Sequence, residues 1–183
     1  MMDKSQVAFL IAQLLVAIGE NPEREGLQDT PRRVADFWSE FMTPAEGKIN
    51  TTFNEETTGE MVVVSGMRIW SLCEHHLLPF WCDVSIAYKP HGQILGLSKF
   101  ARIAQRYAHQ LQVQERLIRQ ISQAVIELTG SQDVLTVGRG VHTCMIMRGV
   151  ATPAVMTVID PHGDFRARND YTELLLRMKS EGV

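Results

Sequence analysis

Two short segments carry residue types that bind transition metals: Cys73-Glu74-His75-His76 and His142-Thr143-Cys144. Zinc takes thiolate and imidazole ligands in tetrahedral geometry, and a catalytic zinc needs three protein ligands and one position for water. Cys73, His76 and Cys144 supply three, which leaves His75 and His142 as spare imidazoles. Cys73 and His76 are three residues apart, a common separation for a local chelate. His142 and Cys144 are two apart, so on a strand they share one face, which Ile146 and Arg148 continue. The competing reading is packing, because an isolated buried cysteine behaves as a small hydrophobe. The adjacent pair His75-His76 favours catalysis, since a structural metal site has little use for a spare imidazole. Cys82 has no histidine beside it and reads as packing.

Two further clusters carry weaker signals. Ser98 reads as the cap of a helix, with Lys99 beside it and Arg102 one turn on. A capped helix start offers free N–H groups to an anion, and the two cations add charge. A solvated helix face explains the same residues, and this holds with more force for Arg33 near the start of another helix. Gln114 and Glu115 interrupt an apolar rhythm between two helices. A carboxylate accepts two hydrogen bonds from a guanine edge and an amide both donates and accepts; a capping or turn role is the plainer alternative.

The elements that must position these groups are legible in outline. Val7, Leu10, Ile11, Leu14, Leu15 and Ile18 recur at helical spacing up to Gly19. Thr30 and Pro31 suit the start of a second helix with Val34, Phe37, Trp38 and Phe41 on its apolar face. Residues 43–60 read as loop. Residues 61–72 and 80–88 read as strands, and Ile94–Leu97 should run back from the Pro90-His91-Gly92 turn as a hairpin with the second of these. Helices follow from Ser98 to about Gln110 and from there to Gly130, with Phe100, Ile103, Tyr107, Leu111, Leu117, Ile118, Ile121, Val125 and Leu128 inward. Residues 133–149 and 154–159 read as a strand pair, and 166–179 as a last helix. This order is an α+β pattern.

Composition frames the rest. With 183 residues, the chain can bury a core without disulfide staples. A net charge of -3 supplies no global basic field for nucleic acid or anionic membrane. No apolar run is long enough to span a bilayer, and Gln13 interrupts the apolar N-terminal stretch, which reads as a helix rather than a signal peptide. An odd count of three cysteines, two of them near histidines, fits metal ligands in a reducing cytoplasm better than a disulfide framework. The expectation is one domain over 1–183, with a helical part at 1–45, a core at 60–160 and a tail at 161–183.

The segments LCEHHLLPF, ILGLSK with Arg102 following, LQVQERL, VHTCM and MRG, in this order, resemble the signature segments of the GTP cyclohydrolase I family. IGENPEREGL and DTPRRVA resemble its entry helices, so the resemblance covers roughly residues 7–158. It implies the tunnelling fold, an antiparallel sheet with two helices on one face, preceded by N-terminal helices. It implies Zn2+ on Cys73, His76 and Cys144, and proton transfer by His75 and His142. Glu115 and Gln114 would hold the guanine; Ser98, Lys99, Arg102, Arg148 and Arg33 would hold the triphosphate and its surroundings. The implied reaction converts GTP to 7,8-dihydroneopterin triphosphate and formate, the first step of tetrahydrofolate and pterin synthesis. The implied assembly is a toroidal decamer with active sites between subunits. Two stretches depart from the family pattern: Gly138-Arg139-Gly140, where glycines weaken a strand or mark a bulge, and IDPHGDF at 159–165. A same-fold relative acting on a different purine fits the Gln114-Glu115 pair equally well; a zinc-stabilised assembly without catalysis is the alternative of another class, against which the count of three ligands speaks.

Overall fold

The computed structural model describes residues 2–43, 47–56 and 59–168. The chain divides into two compact units, Met1–Pro44 and Ala45–Val183. The first holds helices α1 (Lys4–Ala17) and α2 (Thr30–Phe41). Asp3 caps α1 by accepting from the Gln6 N–H at 2.9 Å, and the chain leaves the helix through Gly19 at φ 88°. The expected apolar stripe is only partly covered within the chain: Leu15 is buried, whereas Leu10, Leu14 and Ile18 are exposed. Thr30 is not a cap but the first residue of α2; Asp29 stands in the capping position without a side-chain bond, and its carboxylate pairs with Arg33 instead.

The second unit contains strands β1 (Thr52–Asn54), β2 (Val62–Cys73), β3 (Pro79–Tyr88) and β4 (Gln93–Leu95), helix α3 (Leu97–Ala108), strand β5 (Leu111–Gln112) and helix α4 (Gln114–Thr129). Strand β6 (Val134–His142), the single turn α5 (Thr143–Ile146), strand β7 (Met156–Pro161) and helix α6 (Asp164–Arg168) follow. The last helix expected from sequence lies mostly outside the described residues. The main sheet has the order β5-β2-β3-β6-β7, antiparallel except for the short β5–β2 pairing. The α+β class expected from sequence is therefore observed, with α3 and α4 packed on one face as the resemblance implies.

That face is built by alternation. Phe80, Cys82, Val84, Ile86 and Tyr88 of β3 are all 0% exposed. They meet Phe100, Ile103 and Ala104 of α3 and Leu117, Ile118, Ile121 and Val125 of α4. Each such side chain contributes roughly 1.5–3 kcal/mol of burial free energy. Cys82 belongs wholly to this layer, and burial pushes its thiol up to about 12.

The hairpin expected between β3 and β4 does not form. Both edges of β3 are taken along its length, by β2 and by β6. β4 therefore pairs with β1, a strand inside the stretch read as loop, and its Leu95 N–H donates to the Tyr88 hydroxyl of β3 at 3.0 Å. Ser98 is not a helix cap either: α3 begins at Leu97 after Gly96, which offers no capping side chain.

The glycines of β6 mark no bulge against β3, because the two strands pair continuously from Val134 to His142. They permit α4 to approach. A Cβ at Gly138 would stand 2.3 Å from Ile118 Cδ1 and 2.9 Å from Cys82 Sγ. Gly138→Val is accordingly expected to destabilise the protein by about 1–3 kcal/mol through overpacking, read as a lower thermal midpoint; an unchanged midpoint would contradict the close approach. Arg139 lies on the other face, in register with Asp83. The second departing stretch clamps the chain onto that outer face. Asp164 accepts from Lys89 at 2.6 Å, the Asp164 N–H donates to Asp133 at 2.7 Å, and Phe165 packs with Ala87, Leu135 and Val137.

Candidate functional site

β2 ends at Cys73 and β3 begins at Pro79, so Glu74, His75 and His76 lie in the five-residue connection 74–78. The connection is tight: the Cys73 N–H donates to Leu78 O and the Leu77 N–H to Cys73 O, both at 2.8 Å, with Leu77 at φ 58°. This turn carries the His76 ring back toward its own strand end, with Nδ1 3.5 Å from Cys73 Sγ. Cys144 arrives from the end of β6. The ligand atoms of Cys73, His76 and Cys144 all lie within 4.8 Å of one another.

Cys144 does not sit on a strand face with His142, Ile146 and Arg148, as the two-residue spacing suggested. β6 stops at His142 and Thr143–Ile146 make one helical turn. The Thr143 hydroxyl donates to Pro79 O at 2.5 Å and holds that turn against the start of β3. Arg148 consequently reaches the ligand turn itself, with Nη1 2.8 Å from His76 Nε2.

The donor set fits zinc. In tetrahedral geometry two thiolates and an imidazole place their ligand atoms about 3.5–3.8 Å apart, and the Cys73–His76 pair already stands at 3.5 Å. Among the described residues three ligands gather, and a three-ligand set leaves a fourth position for water, as in catalytic zinc sites. Burial raises the Cys144 thiol above its ordinary value, and the neighbouring Cys73 raises it further. A cation between the two sulfurs offsets both effects.

Around this group stand the two other histidines. His75 is exposed, its Nδ1 4.0 Å from Cys73 Sγ and its Nε2 3.8 Å from the Glu74 carboxylate. His142 is partly buried and stacks on Phe80 at 4.5 Å between ring centroids. Burial holds its imidazole below the ordinary histidine value, while the Glu115 carboxylate acts in the opposite sense. Glu115 is exposed in the first turn of α4. Gln114, read from sequence as a guanine contact, is 1% exposed, and its amide bonds to His142, Gly138 and Met156.

The cations expected to hold phosphates come from other elements. Ser98 is exposed at the start of α3. Lys99 donates to Lys48 O at 2.9 Å, and Arg102 lies against Gly47. Arg33 is exposed in α2 of the first unit, 3.2 Å from Asp29.

A buttress behind the ligand turn escaped the sequence reading. Arg116 pairs with Glu74, and its Nε donates to Gln112 at 2.8 Å. Gln112 is fully buried, donates to Gln120 at 2.7 Å, and its carbonyl accepts from the Glu74 N–H at 3.0 Å. The only sequence signal was Arg116 one residue beyond Glu115, because the partners are 42 residues apart.

Known proteins resemble this chain along most of its length. A profile of the family described as GTP cyclohydrolase I matches residues 7–179. The chain is 44% identical to the GTP cyclohydrolase 1 of Hyperthermus butylicus over 176 residues, 96% of this chain and 91% of that one. Its identity to the GTP cyclohydrolase 1 of Caldivirga maquilingensis is 42% over 163 residues, 89% of this chain and 86% of that one. Among solved structures, the apo form of the archaeosine synthase QueF-Like covers 56% of this chain and 95% of its own at TM-score 0.44 and 14% identity, too remote to bear on the site. On the extent of the profile match and the identity to these relatives, the chain belongs to the GTP cyclohydrolase I family.

Proposed function

We propose that the chain is a zinc-dependent GTP cyclohydrolase I that converts GTP to 7,8-dihydroneopterin triphosphate and formate. The observation that carries this reading is the gathering of Cys73, His76 and Cys144 within 4.8 Å. Zinc held there would polarise water and lower its pKa from about 15.7 toward roughly 7.

The chain's own residues supply the rest. Glu115 accepts from the N1 and N2 hydrogens of guanine and sets the base in register. Water adds at C8 of the imidazole ring; a proton passes to the departing ring nitrogen, and His75 and His142 are the groups that move it. A second hydrolysis releases formate, after which the ribose rearranges and closes onto the amine. Ser98, Lys99, Arg102 and Arg148 hold the triphosphate, which fixes the base against the proton-transfer groups and lowers the entropic part of the barrier. Lys99 and Arg148 must exchange their present partners, Lys48 O and His76, to do so.

The reading carries a homo-oligomer, a decamer by family resemblance, with active sites between subunits. Phe9, Leu10, Leu14 and Val16 of α1 and Ile18 just after it support it, since each is more than half exposed. No helix among the described residues is long and apolar enough to cross a membrane. We place the protein in the cytoplasm, where its free thiols stay reduced.

The test is metal analysis of the purified protein together with a GTP assay that follows formate and pterin absorbance. About one zinc per chain with both products is the expected result. Zinc without any reaction on GTP overturns the reading, and formate without pterin restricts it to ring opening.

A further inference from the structure

The partners of Gln114 define its orientation. Its amide nitrogen stands 3.0 Å from Gly138 O and 3.1 Å from Met156 O, and both of those atoms only accept. The NH2 group must therefore face them, and the amide oxygen must face His142, whose Nε2 is 2.8 Å away. An oxygen that only accepts requires a hydrogen on that nitrogen. The neutral His142 ring then has its lone pair on Nδ1. Phe80 holds the ring plane by stacking, with 10° between the planes. The approach depends on a missing side chain: a Cβ at Gly140 would stand 2.2 Å from Gln114 Oε1. Turning Gln114 out to meet a purine would leave two backbone carbonyls and an imidazole N–H without this partner.

We infer that Gln114 is a positioning residue for His142 rather than a purine contact: it holds the ring as the Nε2–H tautomer, with the lone pair on Nδ1. The inference rests on the proposed role of His142 in proton transfer. It also gives the departing Gly140 a function, since the glycine makes room for the amide.

Three variants of the zinc-loaded full chain test it: Gln114→Leu, Gln114→Glu and Gly140→Ala. Each is read by kcat and KM for GTP and by solid-state nitrogen NMR of histidine-labelled protein, with the His142 signal assigned by its loss in His142→Ala. Gln114→Leu is expected to lower kcat about 10- to 100-fold with KM within about threefold, and to turn the single His142 tautomer into a mixture. Gln114→Glu should recover part of kcat only as its carboxylic acid, whose carbonyl oxygen still accepts from Nε2–H while its hydroxyl donates to Gly138 O or Met156 O. Gly140→Ala should reproduce the leucine result from the other side of the bond. A raised KM at constant kcat, with the tautomer unchanged, overturns the inference and makes Gln114 a substrate contact. Should Gln114→Leu fail to fold, the other two variants decide by the same criteria. A protein that leaves GTP unchanged while its His142 tautomer still follows residue 114 refutes the GTP reading and upholds the positioning by Gln114.

Discussion

Cys144→Ala protein is expected to purify with little zinc and to release formate from GTP at least about a thousandfold more slowly, equivalent to several kcal/mol of lost transition-state stabilisation. Cys73 and His76 come from one turn and remain 3.5 Å apart without Cys144. Two ligands, however, do not retain zinc as three do. The fold should survive, because Cys144 is only partly buried and its helical turn is held by the Thr143–Pro79 bond rather than by the thiol. Circular dichroism and zinc content measured on the same sample check both halves. Full zinc loading in this variant would sink the assigned ligand set.

The same thiol gives the pH dependence of loading. Burial and the nearby Cys73 raise the Cys144 thiol above its ordinary value. The metal-free group therefore carries its proton at neutral pH, and zinc must displace it. Affinity should rise with pH, by about tenfold per unit for each proton released, until the thiol's own pKa is passed. Competition with a chromophoric chelator between about pH 6 and pH 8 measures the slope. A flat profile would mean that zinc displaces no proton there and would point to other ligands.

His75→Ala is the second large effect. It should lower turnover about 10²- to 10⁴-fold, the range for loss of a general acid or base, while zinc stays bound. The geometry separates these two outcomes. His75 Nδ1 is 4.0 Å from Cys73 Sγ, close enough to serve a substrate at the metal, yet His75 lies outside the Cys73–His76–Cys144 group. Its side chain is exposed, so alanine removes no core packing. Turnover within about threefold of the parent, where a general acid–base role demands at least 10²-fold, would leave His142 as the sole proton-transfer group. A parent without turnover, with zinc retained in both proteins, would favour the metal-stabilised assembly instead.

The ligand turn could be read directly from the residues because chemistry and position coincide there. Cys73 and His76 belong to one short connection, so their meeting depends on three peptide units and little else. The same locality made α4 legible. Its apolar residues recur at helical spacing, and Gly130 ends it at φ 70°. Strand β3, whose residue types mark it as a strand, is local in the same sense.

Tertiary contacts decided what locality could not. β4 was expected to fold back on β3, but β6 had occupied that edge, and a strand edge accepts one neighbour. His142 and Cys144 looked like one strand face until the Thr143 hydroxyl met Pro79 O, 64 residues away in sequence, and held a helical turn there. Gly138 and Gly140 looked like defects in a strand, because nothing in their own segment reveals the helix that needs the space. Gln114 is the sharpest case. Its type and its place beside Glu115 suggested a guanine contact, and only the fold brings His142, Gly138 and Met156 to its amide. Sequence by itself determined which groups could hold zinc and where the long helices and strands would form, since both follow from residue type and near-neighbour spacing. The fold alone decided which way each polar side chain faces, because a buried amide or carboxylate turns toward whichever distant partner satisfies it.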